Sequence, residues 1–175
     1  MSAKERASGV HLEVFHHLFA AAAEESRPVL TGVELRLQGD KFTLAAADGF
    51  RLAVQHGVLA APVDQDIEVI IPARTLNELN RLLGDRSEPL EILMTPSKGQ
   101  VLFRLPDREA GRERIELVSQ LLQGSFPNYD QLIPQSYQSS GLGTRAVFDL
   151  QALLRATRTA AIFARDGSNI IRVEV

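Results

Sequence analysis

From Val33 onward, apolar and polar residues trade places at the two-residue period of half-buried strands. VELRLQ from Val33 and FTLAAA from Phe42 form two such runs joined at Gly39-Asp40, and FRLAVQ from Phe50 forms a third after Asp48-Gly49. An Asp-Gly pair between apolar runs predicts a hairpin with a type I′ turn, whose central residues need positive φ. Upstream, Val10, Val14 and Leu18 recur at i, i+4 and i+8 behind Ser8, a candidate N-cap. That spacing predicts a helix to about Ala22, broken by EESRP at residues 24–28. The order is helix, strand, strand, strand.

A related order follows. IEVII from Ile67 is a compact β-branched run, and Pro72 stands where a helix can start without losing a hydrogen bond. Leu76, Leu79, Leu82 and Leu83 form an apolar stripe that ends at Gly84, and LEILM from Leu90, QVLFRL from Gln100 and IELVSQLL from Ile115 read as strands. The two units imply an internal duplication with a period of roughly 65 residues. In that scheme the first unit lacks its opening strand, because MSAKERA is too polar and short to supply one.

GSFPNYDQLIP, residues 124–134, reads as an interdomain linker. Beyond Gly143 the pattern restarts with a strand near Thr144–Phe148, a helix from Asp149 to about Phe163, an Asp166-Gly167 turn and the strand-like NIIRVEV. The expected division is a helix-and-sheet domain over 1–123, a linker over 124–134 and an incomplete domain over 135–175. The fold class is α+β, built from duplicated helix-and-antiparallel-sheet units.

Composition narrows the function. With 175 residues, 45% hydrophobic and 23% charged, the chain has a globular composition. It contains no cysteine, which excludes disulfides, thiol chemistry and Cys-based zinc sites. The longest apolar run, residues 18–23, is too short to span a bilayer, and Lys4, Glu5 and Arg6 interrupt any leader-like N-terminus. No membrane association and a cytoplasmic location are expected. The net charge of −3 still permits nucleic-acid contact, which depends on where the arginines collect.

Catalytic constellations are weak. His11, His16 and His17 lack the i, i+4 spacing of a helical zinc pair, no glycine-rich phosphate loop is present, and Asp48 is accounted for by its turn. No catalytic residue, metal or cofactor is expected, and a hydrolase using Asp48 and the histidines is set aside. Arginine placement says more. Arg74, Asn77 and Arg81 fall at i, i+3 and i+7 opposite the leucine stripe, and Arg155 and Arg158 lie at i, i+3 beside Thr159. Such stripes either solubilise a helix or face phosphates without reading sequence. With few aromatics and no tryptophan for base stacking, duplex backbone contact is the more natural use.

Five separated blocks then resemble one family: FAAAAEESRPVLTG from Phe19, AADGFRLA from Ala46, VIIPARTLNEL from Val69, GSFPNYDQLIP from Gly124 and AAIFARDGSN from Ala160. Their order and spacing are similar to the middle domain, linker and start of the third domain of the bacterial DNA polymerase III β subunit, the sliding clamp. The resemblance implies a DNA-clamp fold and a homodimeric head-to-tail ring of three-domain protomers, with helices lining a channel around duplex DNA. On that pattern the chain corresponds to a clamp fragment without the first domain, and a closed ring is not expected of it alone. The implied function is that of a non-enzymatic processivity factor. It tethers DNA polymerase III and other replication and repair proteins to DNA by binding their short linear peptides. The polymerase α subunit and the clamp-loader δ subunit are the implied partners.

Carried over by matching position, the partner-peptide pocket comprises Leu30, Ala47, Gly49, Phe50, Arg51, Leu52, Pro127, Gln131 and Leu132. Ala47 replaces a threonine common among relatives, and Gln131 an arginine found in some. Arg27 and Arg74 are the implied DNA contacts, joined by Arg81, Arg155 and Arg158 from helix geometry, while Ile162 and Phe163 resemble the apolar pair at the protomer interface. The alternative is a stand-alone interaction module that binds clamp-type peptides without encircling DNA.

Overall fold

The computed structural model describes residues 6–10, by backbone alone, together with 20–22, 27–84, 90–105, 115–133, 146–165 and 170–174. The chain divides into two compact units, Met1–Pro127 and Asn128–Val175.

In the first unit the alternating runs become antiparallel strands: β1 (Arg6–Val10), β2 (Gly32–Gln38), β3 (Lys41–Ala47), β4 (Leu52–Val58), β5 (Ile67–Pro72), β6 (Leu90–Met94), β7 (Gln100–Arg104) and β8 (Glu116–Gln120). They form two four-stranded sheets, ordered β1-β6-β7-β8 and β4-β3-β2-β5. An isolated antiparallel bridge, Ile70↔Leu122, links the second sheet to the chain just after β8, with the Leu122 amide donating to the Ile70 carbonyl at 2.9 Å.

Alternate side chains on both sheets enter one core: Val33, Leu35 and Leu37 from β2, Phe42 and Leu44 from β3, Val101 and Phe103 from β7. Between β5 and β6 runs α1 (Ala73–Leu83), which follows Pro72 and stops at Gly84. Its Leu76, Leu79 and Leu83 join the same cluster, so the leucine stripe is the buried face.

The opening of the chain departs from the expected helix. Arg6–Val10 is an edge strand running from Arg6↔Leu93 to Val10↔Leu90, with a register shift between Ser8 and Val10. Ser8 therefore lies in a ladder and caps no helix, and the opening strand judged missing is present. An edge strand is joined through backbone groups that any residue except proline supplies, so polar side chains do not bar it. Residues 11–19, where the rest of the expected helix falls, lie outside those described.

In the second unit, Asp130–Leu132 forms a single 3₁₀ turn, and α2 (Leu150–Ala164) is capped by Asp149, whose Oδ1 accepts from the Ala152 amide at 2.7 Å. The flanking strands are not found: 146–149 and 170–174 are irregular, while 141–145 and 166–169 lie outside the described residues. A strand needs a neighbour for its hydrogen bonds. Among the described residues no ladder includes either segment.

One close approach fixes β3 against β4. Gly57 pairs with Phe42, whose ring lies so near that a Cβ on Gly57 would fall 2.3 Å from its Cε1 and Cζ. Replacing Gly57 by alanine is expected to push this core ring aside and destabilise the fold by about 1–3 kcal/mol. Urea unfolding measures it, and an unchanged midpoint would contradict the packing.

Candidate functional site

The β3–β4 ladder closes at Ala47↔Leu52, leaving Asp48–Arg51 as the connecting loop. Gly49, with φ 92°, is the loop's positive-φ residue, whereas a type I′ turn needs two such residues. The turn is organised by a side chain instead. Asp48 Oδ1 accepts from the amides of Phe50 and Arg51, each at 3.0 Å, and Oδ2 accepts from Arg51 Nε at 2.7 Å. The Asp48 amide also donates to the Arg51 carbonyl at 3.3 Å. The Phe50 amide first, then the Arg51 side chain and amide, hold the Asp48 carboxyl below its ordinary 3.8.

The loop presents Phe50 to solvent with its side chain fully exposed, at 101% relative accessibility. Beside it, Arg27 Nη1 lies 3.8 Å from where a Cβ on Gly49 would stand. Arg27, assigned to DNA in the sequence reading, thus shares the loop's surface. The adjoining 3₁₀ turn, Pro28–Thr31, is closed by the Leu30 amide donating to the Arg27 carbonyl at 2.9 Å. Leu30 is buried, and Ala47 and Leu52 are half-buried. Pro127 is exposed at the end of the first unit, while Gln131 and Leu132 are exposed in the second. Within the first unit, Arg27, Asp48, Gly49, Phe50 and Arg51 therefore come together around one loop.

On α1, Arg74, Asn77 and Arg81 are all exposed. Glu78 pairs with Arg81, keeping that guanidinium more firmly charged and balancing it locally, so the stripe is less basic than its arginines suggested. On α2 no residue is buried, Arg155 and Arg158 are exposed, and Thr159 Oγ1 donates back to the Arg155 carbonyl at 3.0 Å. Ile162, exposed like Phe163, follows Arg158 by four positions and so lies on the arginine side, off the face shared by Leu150, Leu153 and Leu154.

The sequence reading did not single out the other face of the first sheet. Leu93, Leu102 and Val118 stand opposite one another across β6, β7 and β8, and with Met94 they line a shallow cavity of about 360 Å³. Arg104 borders it, bonded to Glu91 at 2.6 Å and to Glu116 at 2.9 Å. The signal was available, since LEILM is apolar on both faces of its strand. Among the described residues no group of three or more His, Cys, Asp or Glu is placed to hold a metal, and no helix is long and apolar enough to cross a membrane. His11, His16 and His17 lie outside those residues.

The lowered Asp48 carboxyl sets a pH window. Its bonds to the loop are expected to persist above 3.8 and to be lost as pH falls through the lower folded value. In an NMR titration the Phe50 and Arg51 amides should move together with an apparent midpoint below 3.8, and Asp48→Asn should remove that step. A midpoint at or above 3.8 would refute the assignment.

Comparison with known proteins places this geometry. The profile of the DNA polymerase III beta subunit, central domain, matches residues 12–128, which include β2 to β8, α1 and the Asp48–Arg51 loop. A beta sliding clamp of Bacillus subtilis is 32% identical over 152 residues, covering 87% of this chain and 36% of the relative. That of Synechococcus elongatus is 33% identical over 160 residues, covering 90% and 39%. The chain thus spans well under half the length of these relatives. A crystal structure of the Bacillus subtilis sliding clamp superposes with a TM-score of 0.73 at 28% identity, over 94% of this chain and 40% of that one. A Streptococcus pneumoniae DNA polymerase III beta chain gives 0.73 at 28% identity, over 97% and 42%. With β2 to β8, α1 and the loop between β3 and β4 all inside the matched region, the chain belongs to the DNA polymerase III beta subunit family, the beta sliding clamps.

Proposed function

We propose that the chain serves as the central part of a sliding clamp, a non-catalytic cytoplasmic processivity factor that holds replication proteins on duplex DNA. Its partners on this reading are the α subunit of DNA polymerase III, the clamp-loader δ subunit and other proteins carrying short apolar clamp-binding peptides. The observation that carries the proposal is the exposed Phe50, held out by a side-chain-organised loop inside the region matched to the clamp central domain. A bare aromatic beside Gly49, flanked by Arg27, suits a peptide whose apolar residues cover the ring. Leu52 and Pro127 would extend that surface, with the buried Leu30 in the same unit, and Gln131 and Leu132 are the residues of the second unit proposed to contact a peptide. Arg74, Arg155 and Arg158 are the residues proposed to meet phosphates, and Ile162 with Phe163 the pair proposed for the partner protomer of a homodimeric ring.

A second reading, a peptide-binding module that does not encircle DNA, draws support from Glu78, which offsets Arg81 on the α1 face. Ionic strength separates the two. If α1 meets phosphate, Arg74→Gln reduces the salt dependence of duplex binding by about one unit of slope, whereas a peptide module shows no salt-sensitive association to lose.

For the peptide surface, titration with a synthetic Gln-Leu-Ser-Leu-Phe peptide is expected to shift the amides of Leu30, Phe50, Arg51 and Leu132. Phe50→Ala should weaken binding about tenfold, on the order of 1–2 kcal/mol, with little change in melting temperature because the ring is exposed. Titration that moves none of these amides would reject the pocket.

A further inference from the structure

We infer that Asp48 is the positioning residue of this loop: its carboxylate preforms the conformation that presents Gly49, Phe50 and Arg51, and so governs peptide affinity without touching the peptide. The inference rests on the loop's reading as a peptide surface.

The geometry divides the labour between the two oxygens. Oδ1 gathers the Phe50 and Arg51 amides, both at 3.0 Å, and so sets the backbone. Oδ2 takes Arg51 Nε at 2.7 Å and so sets the direction of the guanidinium. Phe50 and Gly49 add little constraint of their own. Phe50 makes no buried contact, the Asp48 amide to Arg51 carbonyl bond is long at 3.3 Å, and Gly49 lacks a side chain that would restrict its backbone. The ladder fixes only the ends, at Ala47 and Leu52. Without the carboxylate, the four residues would sample several arrangements, and only the fraction matching the bound form would accept a peptide. Apparent affinity falls by that fraction.

Asp48 differs from the residues around it in this respect. The Asp48 side chain is 18% exposed and turned into its own loop, whereas the Arg51 side chain is 58% exposed. Asparagine separates the two functions of the carboxylate, since its amide oxygen still accepts the backbone amides but carries no charge for Arg51.

The test compares wild type, Asp48→Ala and Asp48→Asn in the full chain, by backbone ¹⁵N relaxation without ligand and by binding of the Gln-Leu-Ser-Leu-Phe peptide. In Asp48→Ala the order parameters of Gly49, Phe50 and Arg51 are expected to drop from about 0.85 toward 0.6. The dissociation constant should rise roughly tenfold, if the competent fraction falls to about a tenth. Asp48→Asn should restore most of the loop order and part of the affinity, and melting temperatures should stay within a few degrees of wild type. Unchanged loop order in Asp48→Ala, equal losses in the two variants, or a large fall in melting temperature would each overturn the inference. If loop order responds as stated while wild type binds no peptide, the positioning role stands and the peptide reading fails.

Discussion

The position of the Asp48–Arg51 loop depends on the register of the β3–β4 ladder. Seven pairs run from Lys41↔Val58 to Ala47↔Leu52, and Phe42, Leu44 and Ala46 face the core along that length. A slip of one residue would turn these three side chains to the opposite face and draw polar Thr43 inward, so burial fixes the register firmly. Phe42 locks it further by laying its ring over Gly57, a fit that holds only where phenylalanine meets glycine. The loop therefore starts and ends at defined places although its own residues bury little. Its conformation passes to local chemistry, and there one carboxylate collects three donors.

Charge follows a related division. Two arginines on strands are held by carboxylates. Arg36 pairs with the buried Glu34 at 2.9 Å and approaches Glu68 at 3.9 Å, while Arg104 joins Glu91 and Glu116 across three strands. Arg36 with Glu68, and Arg104 with Glu91 and Glu116, are directly opposed across strands, where side chains approach closely enough to interact, while Glu34 lies two residues from Arg36 on β2. On the helices, Arg74, Arg155 and Arg158 stand exposed, and Arg81 shares its charge with Glu78. Arg36 and Arg104 are thus balanced within the sheets, while Arg74, Arg155 and Arg158 lie on helix faces. A slightly acidic chain can carry a basic surface in this way, because net charge averages over faces that a long partner meets separately.

Period explains which elements were legible. The two-residue alternation of VELRLQ and FTLAAA became β2 and β3, the β-branched run IEVII became β5, and the leucine spacing after Pro72 became α1, because each pattern records which side chains one core must take in. The helix expected from about Asp149 became α2, with Asp149 as its N-cap. Where burial writes no pattern, reading failed. Strand β1 is polar and held at a sheet edge, and the apolar spacing of Val10, Val14 and Leu18 suggested a helix over residues that include Ser8 and Val10 of that strand. NIIRVEV had strand-like composition, yet composition does not provide a neighbouring ladder.

The loop shows the same boundary at the scale of single residues. Asp48 and Gly49 announced a turn from sequence alone, since one side chain can bond nearby amides and the other residue tolerates positive φ. The choice between turns was not readable there, because it depended on how the ladder spaced Ala47 from Leu52 and on whether Asp48 bonded backbone or solvent. Arg27 is a sharper instance: it lies far from Gly49 in sequence, and only folding brings its guanidinium to the loop. By itself, then, the sequence determined β2 to β8, α1, α2 and the presence of a turn, all properties of local period and intrinsic backbone preference. Tertiary structure decided the turn's type, its arginine neighbour and the exposure of Phe50, since these depend on which distant strands share a core.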